Sequence, residues 1–430
     1  MSIEVILTIT VFLVLMFLKV PVFISVLAGA CAYLALTPAA TSMVVIQRVL
    51  AGMGSIPLLA IPFFVAAGVL MNAAGITTRI MALCVALVGR RAGGLAQVNV
   101  LLSTLMGGLS GSNLADAAMQ AKILVPEMEK QGYSKEFSSV VTAVSSLVTP
   151  LIPPGIGMIV YGSLAGASIG RLFIAGIGVG ILLMAMMMVL NYIISKKRGY
   201  TSMRTEKLTM QEFFLALRRA IFPLCLPLLI IGGIRFGVIT PTEAGSVAVV
   251  FSILLGFCYR ALTIKKLIES FKETVVTTSC IMLIIGAVSA IAWVFTTERI
   301  PQLALNFFIE NIDHALLFLL VVNLFLLAVG MFMEGNAAAV MLIPILAPIA
   351  LHYEIDLIHF GMIWVFNMSI GAITPPMGTL MYVTCGITGC RVSSFLREAI
   401  PYLIMLFIVL LLVTYVPSIS LGLVNLIWPA

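Results

Sequence analysis

Charge is what this chain lacks. Of its 430 residues only 10% are Asp, Glu, Lys or Arg, while 62% are hydrophobic, with mean hydropathy +1.20. A soluble domain of this length needs a charged exterior, so the composition excludes one. Many apolar runs are about 17–25 residues long, the length that crosses a bilayer. The chain therefore reads as an all-α polytopic membrane protein. The other scarcities narrow it further. Three histidines (His314, His352, His359) form no HExxH or comparable metal motif. Seven cysteines lie scattered, mostly in apolar segments, with no CxxC pair, which speaks against a disulfide framework and for small buried side chains. No Walker A loop supports ATP hydrolysis, and no Gly-x-Ser-x-Gly elbow or zincin motif supports a membrane enzyme. Close glycines such as Gly52-Met-Gly54 suit helix packing better than nucleotide binding.

The net charge of +7 sits largely in loops, and marks topology rather than nucleic-acid affinity. Met1–Leu18 carries Glu4 in place of a basic leader, and so reads as a retained first helix. The one sizeable polar stretch, Lys196–Arg219, holds seven basic residues against Glu206 and Glu212. The positive-inside rule puts it in the cytoplasm as a solvated linker. Spans are expected at Met1–Leu18, Pro21–Leu36, Gly52–Asn72, Leu172–Ile194, Ile221–Phe236, Glu243–Tyr259, Val275–Phe295 and Ile400–Tyr415. Arg79, Arg90 and Arg91 mark a basic connection, and Arg260, Lys265, Lys266 and Lys272 a charged loop. Glu243, after Thr240-Pro-Thr, suits a helix start by complementing the dipole, and Lys122 suits an interface where its stem can snorkel.

Polar residues and helix breakers interrupt the apolar regions at four places. Ser110-Gly-Ser-Asn113 stands midway along 93–129, a length that can enter the membrane and return. Thr149-Pro-Leu-Ile-Pro-Pro154 breaks the helix 137–166, because proline removes a donor and clashes with the preceding turn. Met333-Glu-Gly-Asn336 interrupts 315–351, and Thr374-Pro-Pro-Met-Gly378 breaks 358–388. Non-helical backbone at membrane depth survives only where protein buries it or it lines a cavity.

The two pairs of breaks are related. A shift of 222 residues gives ten identities between positions 100–127 and 322–349, from Val100/Val322 and Gly108/Gly330 to Pro126/Pro348. The same shift lays Pro153-Pro154 on Pro375-Pro376. Charges oppose one another across it: Arg90-Arg91 fall on Ile312-Asp313, and Lys196–Arg198 on Ser418–Ser420. Equivalent loops then lie on opposite faces, which makes an inverted repeat, 1–205 and 220–430, joined by a cytoplasmic linker, 206–219. Ten spans and two re-entrant hairpins put both termini outside the cytoplasm.

Such broken elements can bind ions through unwound carbonyls and carboxylates through half-helix N-termini. Ser110, Ser112, Asn113, Thr149 and Thr374 add neutral oxygens, which suit a weakly held monovalent ion better than a divalent one. The plainer role for each alone is interhelical hydrogen bonding. Asp116 and Glu334 are ionisable groups at membrane depth and so candidates for function. Asp116, just past the first tip, could equally cap the returning helix.

These residues resemble the large membrane subunit of the tripartite ATP-independent periplasmic (TRAP) transporters, DctM-like, over essentially the whole chain. The motifs are Ser110-Gly-Ser-Asn-Leu-Ala-Asp116, Ile152-Pro-Pro-Gly155 followed by Tyr161-Gly162, Thr240-Pro-Thr-Glu-Ala244 and Thr374-Pro-Pro-Met-Gly378. Asn113 stands where the family often has a second Ser, and Gly155 where Ser is common.

The resemblance implies an inverted-repeat elevator, in which a mobile domain carrying both hairpins slides against a scaffold. It implies a multi-pass protein of the bacterial inner membrane and no cofactor beyond Na+ as coupling ion. The implied partners are a small four-helix membrane subunit and a periplasmic solute-binding protein, and the implied cargo is a carboxylate such as a C4-dicarboxylate or sialic acid. Carried over, the ion ligands fall on Ser110, Gly111, Ser112, Asn113, Thr149, Pro150 and Pro153 at one site. At the other they fall on Gly335, Asn336, Thr374, Pro375 and Gly378. Substrate contacts fall on Ser112, Asn113, Asp116, Pro154, Glu334, Asn336 and Pro376. A stand-alone divalent-anion/sodium symporter and an uncoupled channel are the alternatives; Thr240-Pro-Thr-Glu-Ala244 favours the tripartite system. The topology is checked by a reporter fused to the C terminus: activity outside the cytoplasm is expected, and cytoplasmic activity would refute it.

Overall fold

The computed structural model describes residues 3–18, 20–37, 42–54, 56–200, 202, 209–376 and 378–428. Among them the regular structure is helical throughout. The first half runs α1 (Ile3–Phe17), α2 (Val22–Leu36), α3 (Ser42–Met53), a 3₁₀ turn at Ile56–Leu59, α4 (Ala60–Ala73) and α5 (Ile76–Val88). A helical hairpin follows, α6 (Gly94–Ser110) and α7 (Asn113–Lys130). Then comes a broken helix, α8 (Lys135–Ser145) with a 3₁₀ turn at Ser146–Leu151 and α9 (Ile156–Ala165), and then α10 (Ile169–Arg198).

The second half runs α11 (Met210–Arg235), α12 (Pro241–Cys258), α13 (Ile264–Thr297) and α14 (Ile300–Asn311). Its hairpin is α15 (Ala315–Phe332) and α16 (Gly335–His352). Its broken helix is α17 (Leu357–Gly371) and α18 (Thr379–Thr388), and α19 (Val392–Tyr415) and α20 (Ser418–Ile427) close the chain.

Seven described helices are long and apolar enough to cross a membrane, and up to nine spans result if the two bent pairs each count as one. The expected polar segments differ most from what is observed. Residues 76–88, expected as connection, form α5, which is bent 72° from α4. The expected charged loop after Arg260 is already helix from Ile264, so α13 extends 34 residues. Of the expected linker, 206–208 lie outside the described residues, and Met210–Arg219 are the first turns of α11. Charges placed on the outer face of a helix, or at its start, look like loop to a hydropathy reading.

Local signals set the helix limits. Thr209 with Glu212, and Thr240 with Glu243, form reciprocal capping boxes at the starts of α11 and α12. Glu243 thus has the helix-start role expected of it. Ser168 caps α10, which ends on left-handed Gly199 with Lys196, Lys197 and Arg198 in its last turn. There the cations complement the dipole.

The 222-residue offset applies to elements as well as identities. α7 spans 113–130, and 113 + 222 = 335 and 130 + 222 = 352 are the bounds of α16. One element departs from the correspondence. α3 and α4, at 42–53 and 60–73, map onto 264–275 and 282–295, all inside the continuous α13. Gly52, Gly54 and Pro57 in the first half meet Thr274, Val276 and Ser279 in the second. Glycine and proline stop a helix that the later residues carry through.

Small residues let the elements touch. A Cβ on Gly371 of α17 would stand 2.5 Å from the carbonyl carbon of Gly330 on α15, so these helices cross backbone to backbone. Gly52 lies against Ser289 of α13, the packing use expected of it. Around α10, Asn191 accepts a short hydrogen bond from Tyr402 of α19, and Arg198 grips Glu398 at 2.7 Å.

Two clasps link the halves. Tyr33 of α2 donates to Glu298 at the end of α13 at 2.6 Å, while Arg79 of α5 lies 3.8 Å over the ring of Tyr259, at the end of α12. Each clasp thus ties a helix of the first half to the end of a helix of the second. At the backbone crossing, Gly371→Ala is expected to cost about 1–3 kcal/mol through overpacking. A thermal melt of the purified protein measures it; an unchanged midpoint would show that α15 and α17 have room to part.

Candidate functional site

The first hairpin tip turns on Gly111, whose φ of +60° lies in the left-handed region and whose N–H returns to Gly107 O at 3.3 Å. A Cβ there would strike the carbonyl oxygen of Pro154, so the tip rests directly on the break of the first broken helix. Ser112 caps α7, its Oγ accepting from Ala115 N at 3.4 Å, and Asn113 Oδ1 accepts from Leu114 N at 2.9 Å. The second tip is built from different chemistry at the equivalent position, since 112 + 222 = 334. Glu334 caps α16, accepting from Asn336 N at 3.1 Å, Ala337 N at 3.3 Å and Asn336 Nδ2 at 2.7 Å. Gly335 packs on Met368 of α17.

Between the tips lies a cavity of about 450 Å³, within the range of small-molecule sites. Ser110, Gly111, Ser112, Asn113, Asp116, Pro150, Glu334, Gly335 and Asn336 line it, so nine of the sequence candidates converge. Thr149, Pro153, Pro154, Thr374, Pro375, Pro376 and Gly378 do not line it. Thr149 is fully buried behind Asp116, and Thr374 Oγ1 is committed to Ile370 O at 2.8 Å. Thr379 lines the cavity from that broken helix, and Met377 lies outside the described residues. The Pro153–Pro154 and Pro375–Pro376 peptide bonds are both cis.

Asp116 is only 2% exposed. It accepts from Gln120 Nε2 at 2.8 Å and from Thr149 Oγ1 at 3.2 Å. Ser112, not Asp116, caps the returning helix, which frees this carboxylate for the cavity wall.

The facing wall was not anticipated. It consists of Asn72 on α4 and Glu273, Thr277 and Cys280 on α13, with Trp364 and Met368 of α17 beside the second tip. The sequence signal for α13 is the spacing 273, 277, 280, 281, 284, one stripe of a helix. It was hidden because Glu273 falls among charges that resembled a loop. The cavity thus has three carboxylates, and its described lining holds no Lys, Arg or His.

The sequence profile described as "Tripartite ATP-independent periplasmic transporter, DctM component" matches residues 9–419. The chain belongs to this family. It is 40% identical over 408 residues to the sialic acid TRAP transporter large permease SiaM of Vibrio cholerae, covering 95% of each chain. It is 40% identical over 373 residues to the C4-dicarboxylate TRAP transporter large permease DctM of Pseudomonas aeruginosa, covering 86% of each. The fold is similar to that of the Alcanivorax borkumensis YdaH transporter, with TM-score 0.64 at 14% identity over 90% of this chain and 88% of that one. The DctM-family chain is therefore a multi-pass transporter permease and not an enzyme.

Two substitutions test the tip. Gly111→Ala puts a methyl group onto Pro154 O at a left-handed position, and Ser112→Leu removes the cap of α7. Each should abolish uptake while leaving membrane insertion intact, as measured by transport and by the amount of protein in the membrane fraction. Normal uptake by Ser112→Leu would remove the tip from the site.

Proposed function

We propose that this chain is the large permease of a three-part importer that takes up a small organic anion together with sodium. The relatives named for sialic acid and for C4-dicarboxylates support an organic acid as cargo. The observation that carries the coupling is the charge of the cavity. Glu273, Asp116 and Glu334 face it, and its described lining offers no basic side chain. An anion brought into this space adds to charge of its own sign, and burying unpaired charge is costly. Co-bound cations remove that cost, and neutral oxygens such as those of Ser110, Ser112 and Asn113 suit sodium.

The helix ends divide the work. Glu334 already accepts from two N–H groups at the start of α16. At the start of α7 two N–H groups are taken by the neutral oxygens of Ser112 and Asn113 and not by a carboxylate, so this end is the better anion site. Both tips move with their broken helices against the wall of α4 and α13, an elevator motion that carries the cavity between the two faces of the inner membrane. A soluble periplasmic binding protein delivers the cargo, and a small membrane subunit completes the permease.

Uptake of labelled sialic acid and succinate into membrane vesicles is the test. The expected result is saturable uptake that needs added binding protein and disappears when choline replaces sodium. Flux that persists without sodium would overturn the coupling, and flux without the binding protein would favour a stand-alone symporter.

A further inference from the structure

Asp116 differs from Glu334 in how it is held. Two backbone N–H groups and Asn336 Nδ2 fix Glu334, whereas side chains alone supply the hydrogen bonds of Asp116. Gln120, one turn along α7, gives one N–H to Asp116 Oδ1 at 2.8 Å and the other to Ser103 Oγ at 2.6 Å. Ser103 is not free to reverse this. Its hydroxyl donates to Ser145 Oγ at 3.0 Å, Ser145 donates to Asn99 Oδ1 at 2.6 Å, and Asn99 donates to Thr142 Oγ1 at 2.8 Å. Turning the amide over would set its oxygen against a carboxylate and against a hydroxyl oxygen whose proton is already used.

The arrangement has a cost that shows how firmly it is held. Gln120 Oε1 is buried and has no hydrogen-bond partner. A buried acceptor without a donor is unfavourable, so the two donations from Nε2 outweigh it. The cavity end of the ladder is one-sided. Adding 222 to positions 99, 103, 116 and 120 gives Val321, Phe325, Ala338 and Leu342. Ser145 falls on Asn367 of α17, which donates to Asn323 of α15, so a polar tie from hairpin to broken helix serves both halves, and its extension through Gln120 to a buried carboxylate belongs to the first.

We infer that Gln120 is a positioning residue: anchored by the Ser103–Ser145–Asn99 ladder, it holds the Asp116 carboxylate as an acceptor aimed into the cavity, where Asp116 takes up a co-transported sodium ion. The inference rests on the sodium-coupled reading above. Gln120 itself makes no contact with the cargo.

The test is a sodium titration of the thermal stability of the purified full chain, with choline chloride keeping ionic strength constant. A cation that binds the folded state raises the melting temperature as its concentration passes its dissociation constant. Gln120→Met keeps length and bulk but loses both donors. It should move the sodium midpoint up about tenfold, the loss of one charge-assisted hydrogen bond, whatever it does to the melting temperature in choline. A merely structural role would lower that baseline and leave the midpoint unchanged. Should Gln120→Met fail to fold, Gln120→Leu, which also lacks the donors and adds no charge, decides by the same midpoint. A wild-type response that the folded variant retains unchanged overturns this inference alone. A wild-type chain indifferent to sodium overturns the sodium reading and this inference together.

Discussion

Backbone amides that leave a helix inside an apolar layer must find partners within the protein. This chain leaves its helices at two hairpin tips and two breaks, and much of the rest of the architecture serves to cover them. Gly111 lies against the carbonyl of Pro154, and Gly371 against the backbone of Gly330. Such contacts are closer than side chains allow, so glycine appears where an interruption in one element must be sealed by another. Ser112 and Glu334 take up the N–H groups exposed where the chain re-enters a helix.

The two tips satisfy the same geometric demand with different charge. A hydroxyl caps one helix and a carboxylate the other, at positions 222 residues apart. Repetition therefore extends to the backbone but not to the chemistry of the cavity. Asp116 and its ladder belong to the first half, Glu334 to the second, and Glu273 to the wall opposite. A site assembled from unlike halves can orient an asymmetric cargo, which a strictly repeated site would not do.

Much of this was legible in the sequence for a physical reason. Ser, Gly, Asn and Pro inside apolar runs conflict with a regular helix, and the conflict locates the tips and breaks to within a residue or two. That Ser110–Asn113 and Glu334–Asn336 share one site came from the family resemblance, which assigns residues of both tips to ions and substrate. What remained hidden was whatever hydropathy treats as loop. Glu273 lies in the charged first turns of α13, and Arg79 in the short helix α5, so neither was placed on a helix. Gln120 drew no notice because a single amide in an amphipathic stretch has many ordinary uses; only its partners distinguish it. Thr374, by contrast, looked like an ion ligand by position, yet its hydroxyl turns back onto its own helix.

The clasps between the halves bear on how the molecule is made. Tyr33 and Glu298 are 265 positions apart. The hydrogen bond at the end of α13 cannot form until the chain has been synthesised and inserted almost to residue 300. Until then Tyr33 lacks this partner, and α2, α3 and α4 lack the packing that α12 and α13 bring to them. The same feature argues against building the protein as two separately expressed halves that fold first and dock later, because each half lacks the helices its own buried faces pack on.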